Sequence, residues 1–308
     1  MFVSELSLTD FRSYPAVRVG FTPGINVLVG TNGQGKTNLV EAIHYLATFE
    51  SHRVAGDAPL VRFGTDQATA ELSLNEGSAA GEHARELRLG VEIIPGKSNR
   101  ARLNGAALPR ARELLGVLQT VVFAPEDLAL VKGDPSERRH FLDSVLVQLQ
   151  PGFAGIRADL DRVLRQRNAL LKSGQSHHDV DLLRTLEVWD SQLAKTGGQV
   201  LAARLNLVER LRQPAADAYV RVSADRGPLE IAYENSVGVS AGADAELCEA
   251  ALLNAFATER KRELDRGVTL VGPQRDELQI QLRGLPVRGY ASHGESWSAA
   301  LALKLGVF

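Results

Sequence analysis

Two apolar periods run along this chain, and the change from one to the other divides it. Residues 1 to about 130 carry short period-2 runs at residues 2–8, at Val17, Val19 and Phe21, and at residues 69–74 and 87–94. That period marks strands with one buried face. Pro23-Gly24 turns the chain into residues 25–29, an apolar, β-branched run that predicts a buried strand. A loop at residues 77–81 separates two of the strands. Residues 100–103 before Asn104-Gly105 predict a hairpin, residues 109–116 a short helix, and residues 118–123 and 128–131 two further apolar strands. From about residue 134 the period lengthens to three and four. Ile156, Leu160, Val163, Leu164, Leu170 and Leu171, then Leu182, Leu186, Trp189, Leu193, Val200, Leu201, Leu205 and Val208, predict two antiparallel helices around a polar break at residues 173–178. His177-His178 in that break reads as a solvated turn. Pro214, a strand at 229–233 and a helix at 245–264 complete this insert. Sheet returns at 268–271, 279–282 and 287–290, before an apolar helix at 297–305.

Composition narrows the class. A chain of 308 residues exceeds what one core usually holds, so two domains are expected. It is 44% hydrophobic and 23% charged, as globular proteins are. A net charge of −2 and a pI of about 6.4 carry no global nucleic-acid signature, so any DNA contact rests on a local patch. One cysteine, Cys248, forms no disulfide within the chain and suits a reducing cytoplasm. No apolar run approaches the ~18 residues of a membrane span.

Chemistry concentrates in Gly30, Thr31, Asn32, Gly33, Gln34, Gly35, Lys36 and Thr37, which fit the phosphate-loop pattern G-x-x-x-x-G-K-[ST]. Glycines let successive N–H groups converge on one centre, and the following helix adds its positive end. Lys36 is expected to reach the β- and γ-phosphates of ATP, and the Thr37 hydroxyl to ligate Mg²⁺. Ser51-His52-Arg53, just past that helix, has two readings: a basic group that turns back onto phosphate or reaches DNA, or a solvated helix end.

The next informative stretch is Pro125-Glu126-Asp127-Leu128, Gly133-Asp134-Pro135 and Arg138-Arg139-His140-Phe141-Leu142-Asp143, with Ser136 expected to cap a helix. Together with the phosphate loop it resembles the RecF family of bacterial recombination-repair ATPases. Ser292-His293-Gly294-Glu295-Ser296 before an apolar helix resembles the ABC signature, with Glu at 295 where Gln is common and where the SMC branch has Glu.

The resemblance implies an α/β, ABC-type P-loop ATPase with mixed sheets and an inserted α-helical arm. Residues 1–133 with 267–308 would form the ATPase domain and 134–266 the arm. It implies an ATP-dependent homodimer in which Ser292, Gly294 and Glu295 of one copy cap the γ-phosphate held by the other. It further implies binding to single-stranded, gapped or junction DNA, slow hydrolysis, recombinase loading, and RecR- and RecO-like mediators as partners. Arg138, Arg139, Arg157, Arg162 and Arg165 are the DNA-contact candidates, with Arg167 in the same cluster. The family's strand with two carboxylates is expected beyond the signature helix, so these 308 residues are expected to hydrolyse no ATP and to bind it poorly. Turnover would instead implicate Glu126, Asp127, Asp276 or Glu277. An SMC-type bridging ATPase, a transporter's nucleotide-binding subunit and a metabolic kinase are the alternatives.

Overall fold

The computed structural model describes residues 1–75, 86–174, 180–223 and 227–307. The expected loop at 77–81 and the pair His177-His178 lie outside them. The chain divides into two units, Met1–Val122 and Phe123–Phe308.

The first unit is built on alternation. Strands β1 (Phe2–Phe11), β2 (Tyr14–Gly20), β3 (Ala68–Asn75), β4 (Glu86–Ile93), β5 (Arg100–Leu103) and β6 (Ala106–Ala107) form one antiparallel sheet in the order β2-β1-β3-β4-β5-β6. Leu6, Leu8, Leu72, Leu74, Leu89 and Val91 point to one face and are buried. Helix α1 (Lys36–Thr48) covers that face with Leu39, Ala42, Tyr45 and Leu46. Glu5, Ser7, Arg18, Glu71 and Arg88 occupy the other, as period-2 strands require. Asn104 and Gly105 both take left-handed angles in the β5–β6 turn, as expected of a two-residue hairpin.

Two expected strands of this region are absent. Residues 25–29 belong to no sheet among the described residues, and Ile25, Val27 and Val29 are 93%, 75% and 89% exposed. Only Leu28 of this run packs on the core. Asn26 instead closes the preceding turn, accepting from the Thr22 N–H and donating to the Thr22 and Gly24 carbonyls. Residues 118–123 likewise join no sheet among the described residues, and the expected helix at 109–116 is a short 3₁₀ turn, Ala111–Leu114.

The second unit is mainly helical. Its elements are α2 (Leu128–Lys132), α3 (Pro135–Leu149), α4 (Phe153–Ser173), α5 (Val180–Ser223), β7 (Leu229–Glu234), α6 (Ala245–Arg266), β8 (Glu277–Leu282), β9 (Leu285–Pro286), the turn α7 (Val287–Tyr290) and α8 (His293–Leu305). Strands pair antiparallel in the order β7-β8-β9. Residues 128–131, read as a strand, are the helix α2, with Leu130 and Val131 buried. Asp134, not Ser136, stands at the N-cap of α3, with Pro135 at the first helical position, where its missing N–H costs nothing. Helix α5 runs 44 residues straight through Pro214. The hairpin return is Leu285–Pro286 and not 287–290, where Arg288 and Gly289 leave helical angles. Residues 268–271 form no strand, because side chains take their backbone groups: Asn168 accepts from the Thr269 N–H and Glu263 from the Leu270 N–H. Residues 267–308, grouped by sequence with 1–133, belong by packing to the unit that also holds α4–α6.

Candidate functional site

The phosphate loop leads into α1. Gly33 and Gly35 hold left-handed angles, φ 84° and 87°, that only glycine takes without strain. Gly35 has a second constraint: a Cβ there would lie 2.8 Å from the Tyr14 hydroxyl and 3.0 Å from Ser13 Oγ. The β1–β2 turn is therefore pressed against the loop. It is also bonded to it, since the Tyr14 hydroxyl donates to the Gln34 carbonyl at 3.1 Å and Asn38 Nδ2 donates to Ser13 Oγ at 3.0 Å. Lys36 Nζ donates to the Gly30 and Thr31 carbonyls, both at 2.8 Å, closing the loop into a ring around one cation. No side chain caps the start of α1 and its first turn holds no acid. Open N–H groups, a helix N-terminus and an ammonium in one place suit a polyphosphate.

Beside the loop stands an arrangement absent from the sequence reading. Glu41 is fully buried on α1. Arg12 grips it with two nitrogens, at 2.9 and 2.5 Å, the Ser51 hydroxyl donates to it at 2.5 Å, and Arg53 reaches it at 3.3 Å. Burial alone would raise the Glu41 carboxyl pKa. The hydrogen bonds from Arg12 and Ser51 and the charges of Arg12 and Arg53 outweigh it and hold the group below its ordinary range. Arg53 also donates to Asn38 at 2.9 Å. Of the two readings of Ser51-His52-Arg53, the structure thus places Arg53 against the helix that carries the loop. Arg12 itself has φ 54°, a strained angle that delivers its side chain to Glu41. A cavity of about 630 Å³ opens here, lined by Arg12, Ser13, Asn38, Arg53, Arg62 and the exposed Phe63. The available signal was a lone carboxylate between the buried positions Leu39 and Ala42.

Thr37 is exposed at the second residue of α1. Among the described residues no cluster of three or more His, Cys, Asp or Glu is placed to hold a metal. A Mg²⁺ at Thr37 would accordingly take most of its oxygens from the nucleotide and water, as this cation commonly does.

In the second unit, Ser292 caps α8. Its hydroxyl accepts from the Glu295 N–H at 3.2 Å, and the Glu295 carboxylate accepts from the Ser292 N–H at 2.8 Å, a reciprocal capping box. That backbone bond, then Arg283 at 2.6 Å, lowers the Glu295 pKa to about 2. Gly294 lies in the first turn. Trp297 donates to His293 Nε2 at 2.7 Å and meets Phe123 edge to face.

The arginine candidates separate. Arg138 is buried and spent internally, on both Glu277 oxygens at 2.6 and 2.8 Å and on the Leu130 and Gly133 carbonyls, so we withdraw it as a DNA contact. Arg167 is fully buried between Asp190, Glu263 and Thr269, with Phe256 under its guanidinium at 4.6 Å, and is withdrawn too. Arg139 is half-buried and donates to the Asp276 carbonyl, and burial, with the charge of Arg204, lowers its pKa. Arg157 is half-buried beside Asp143 and His140. Arg162 and Arg165 are exposed on α4, Arg162 with Asp159 at 3.1 Å. Of the carboxylates named as alternatives, Asp127 pairs with Lys304, Glu277 with Arg138, and Asp276 accepts from Tyr233 and Ser236. Glu126 is exposed.

Comparison with known proteins agrees with this geometry. The family described as RecF/RecN/SMC N terminal domain matches residues 2–307. The DNA replication and repair protein RecF of Kineococcus radiotolerans is 52% identical, the match covering 100% of this chain and 80% of that protein. The chain belongs to the RecF family. The RecF of Beutenbergia cavernae is 49% identical, covering 100% of this chain and 81% of that one. The solved structure of the recombination mediator protein RecF with ATP, in the RecFOR pathway, superposes with a TM-score of 0.89 at 29% identity, over 99% of this chain and 80% of that one. An Smc head domain from Pyrococcus furiosus, with TM-score 0.51 and 16% identity, shares the fold. The fold is accordingly that of an ABC-type ATPase head with a helical arm. Among the described residues no helix is long and apolar enough to cross a membrane.

Proposed function

We propose that this chain is an ATP-dependent DNA-binding protein of replication and recombination repair. ATP sits on Gly30, Thr31, Asn32, Gly33, Gln34, Gly35, Lys36 and Thr37, its phosphates met by loop N–H groups and Lys36, with Mg²⁺ on the Thr37 hydroxyl. Bound Mg²⁺ would neutralise phosphate charge. The cavity beside Ser13 and Asn38 takes the rest of the nucleotide. Two copies associate head to tail on ATP, each offering Ser292, Gly294 and Glu295 to the γ-phosphate held by the other. The dimer acts at gaps and junctions between single- and double-stranded DNA and helps load recombinase with RecO- and RecR-like mediators. The observation that carries this reading is the uncapped α1 start behind a glycine loop ringed around Lys36.

Titration of ATP by calorimetry tests it. A hydrogen bond to a charged group contributes about 1.5–3 kcal/mol, so Lys36→Ala is expected to weaken ATP about 10- to 100-fold. ATP-dependent DNA binding, read by fluorescence anisotropy, should fall with it. Equal ATP affinity in the two proteins overturns the assignment.

A further inference from the structure

Arg283 occupies the tight turn between β8 and β9 with a left-handed φ of 53°. Its stem lies over Gly227, where a Cβ would stand 2.7 Å from Arg283 Cγ and 3.3 Å from Cδ. The absent side chain at 227 is what leaves room for that stem. The guanidinium is delivered to the start of α8, where Nη2 donates to Glu295 Oε1 at 2.6 Å and the side chain stays 53% exposed.

For stability alone this placement is a poor choice. A cation at a helix N-terminus opposes the helix dipole. An exposed ion pair adds little, and a left-handed arginine strains the backbone. Glu295 needs no arginine to cap the helix, since its other oxygen accepts from the Ser292 N–H, and a glutamine would cap as well. An arriving anion gives the arrangement a purpose. Phosphate oxygens match the guanidinium fork, and they would enter beside the Ser292 hydroxyl and the first N–H groups of α8.

We propose that Arg283 is a phosphate-binding residue of the Ser292 site, held ready by Glu295 and passed to the terminal phosphate of a nucleotide carried by a second copy of this chain. The proposal rests on the head-to-tail reading above. It adds to that reading a cation outside the signature residues and a function for the acid at 295, which parks Arg283 until phosphate competes for it.

Sedimentation velocity with and without ATP, on the wild type and four variants, tests it. Lys36→Ala sets the ATP-independent baseline. Arg283→Ala is expected to melt at the same temperature but to self-associate on ATP at least about tenfold more weakly. Glu295→Gln separates the two roles of the pair. If Arg283 merely neutralises Glu295, the double variant R283A/E295Q regains wild-type association, and the proposal is overturned. If Arg283 meets phosphate, the double variant stays as weak as R283A. Wild-type association in R283A also overturns it. A wild type that associates no better with ATP than Lys36→Ala removes the head-to-tail reading itself, an outcome distinct from the other two.

Discussion

Two clusters of arginine and carboxylate in this molecule use the same groups in different proportions. Beside the phosphate loop, one buried carboxylate, Glu41, faces two guanidinium groups, Arg12 and Arg53, at the edge of an open cavity. Between α4, α5 and α6, Arg167 and Arg260 face Asp190 and Glu263, with Arg167 fully buried. The first cluster keeps a surplus positive charge next to water. The second balances two against two, with both carboxylates and Arg167 buried. Surplus charge at an accessible wall can greet an anion, whereas balanced charge in a sealed interior fixes how helices meet. An ion pair alone therefore says little about function; its charge balance and access to solvent say more.

The largest expected effect lies in the sealed cluster. Arg167→Ala removes one partner from each of Asp190, Glu263 and Thr269 and leaves the buried Glu263 carboxylate with no cation beside it among the described residues. Breaking a buried pair by deleting one member costs about 3–5 kcal/mol. Chemical denaturation should show that loss, while ATP affinity of the folded fraction stays unchanged. A loss of ATP affinity at full stability would mean the two clusters do not divide the work as described.

The open cluster should respond less in stability and more to pH. Glu41→Gln keeps the shape but cannot hold both arginines as a carboxylate does, an expected cost of about 1–3 kcal/mol near neutral pH. The sign follows from the lowered pKa of Glu41. A carboxyl whose folded pKa lies below its unfolded one contributes fully above the ordinary value of 4.5, and that contribution disappears as pH falls through the lower folded value. The wild type should thus lose stability relative to Glu41→Gln below about pH 4.5, and the two denaturation midpoints should converge. Parallel midpoints down to pH 3 or so would place the carboxyl's ionisation outside this linkage.

What could be read from sequence follows the range of the forces involved. The phosphate loop, the alternating strands β1–β5 and the helices α4 and α6 depend on local spacing, and their positions were legible. Residues 25–29 and 268–271 carry strand-like side chains, but a strand also needs a neighbouring edge, which composition does not specify. The ion pairs were not legible either. Arg204 meets Asp143 across 61 positions, Arg167 meets Glu263 across 96, and Arg138 meets Glu277 across 139. Adjacent Arg138 and Arg139 point to different faces of α3, so that one can pack while the other stays accessible, and folding buried Arg138 and left Arg139 half-covered. Arg283-Gly284 makes the hairpin turn that presents Arg283, but nothing in the sequence connects that turn to Glu295.

The smallest effect expected distinguishes arginines that serve the fold from those that serve DNA. Arg162 and Arg165 stand three residues apart on exposed α4, so they share a face. Lys172 continues that exposed stripe about 10 Å beyond Arg165, at about 1.5 Å per residue. Each phosphate contact on duplex DNA contributes about 0.9 to the slope of log affinity against log salt. Arg165→Ala should therefore reduce the slope by about 0.9 and leave the melting temperature alone. Arg162→Ala should reduce it less, because Asp159 already holds part of that charge. Arg138→Ala should do the reverse, lowering stability through unpaired Glu277 with no change in slope among molecules still folded. Anisotropy titrations of a gapped duplex across a salt series, in the presence of ATP, measure all three. A slope that moves with Arg138 and not with Arg165 would mean that the α4 stripe is only a solvated face and that the DNA surface lies elsewhere.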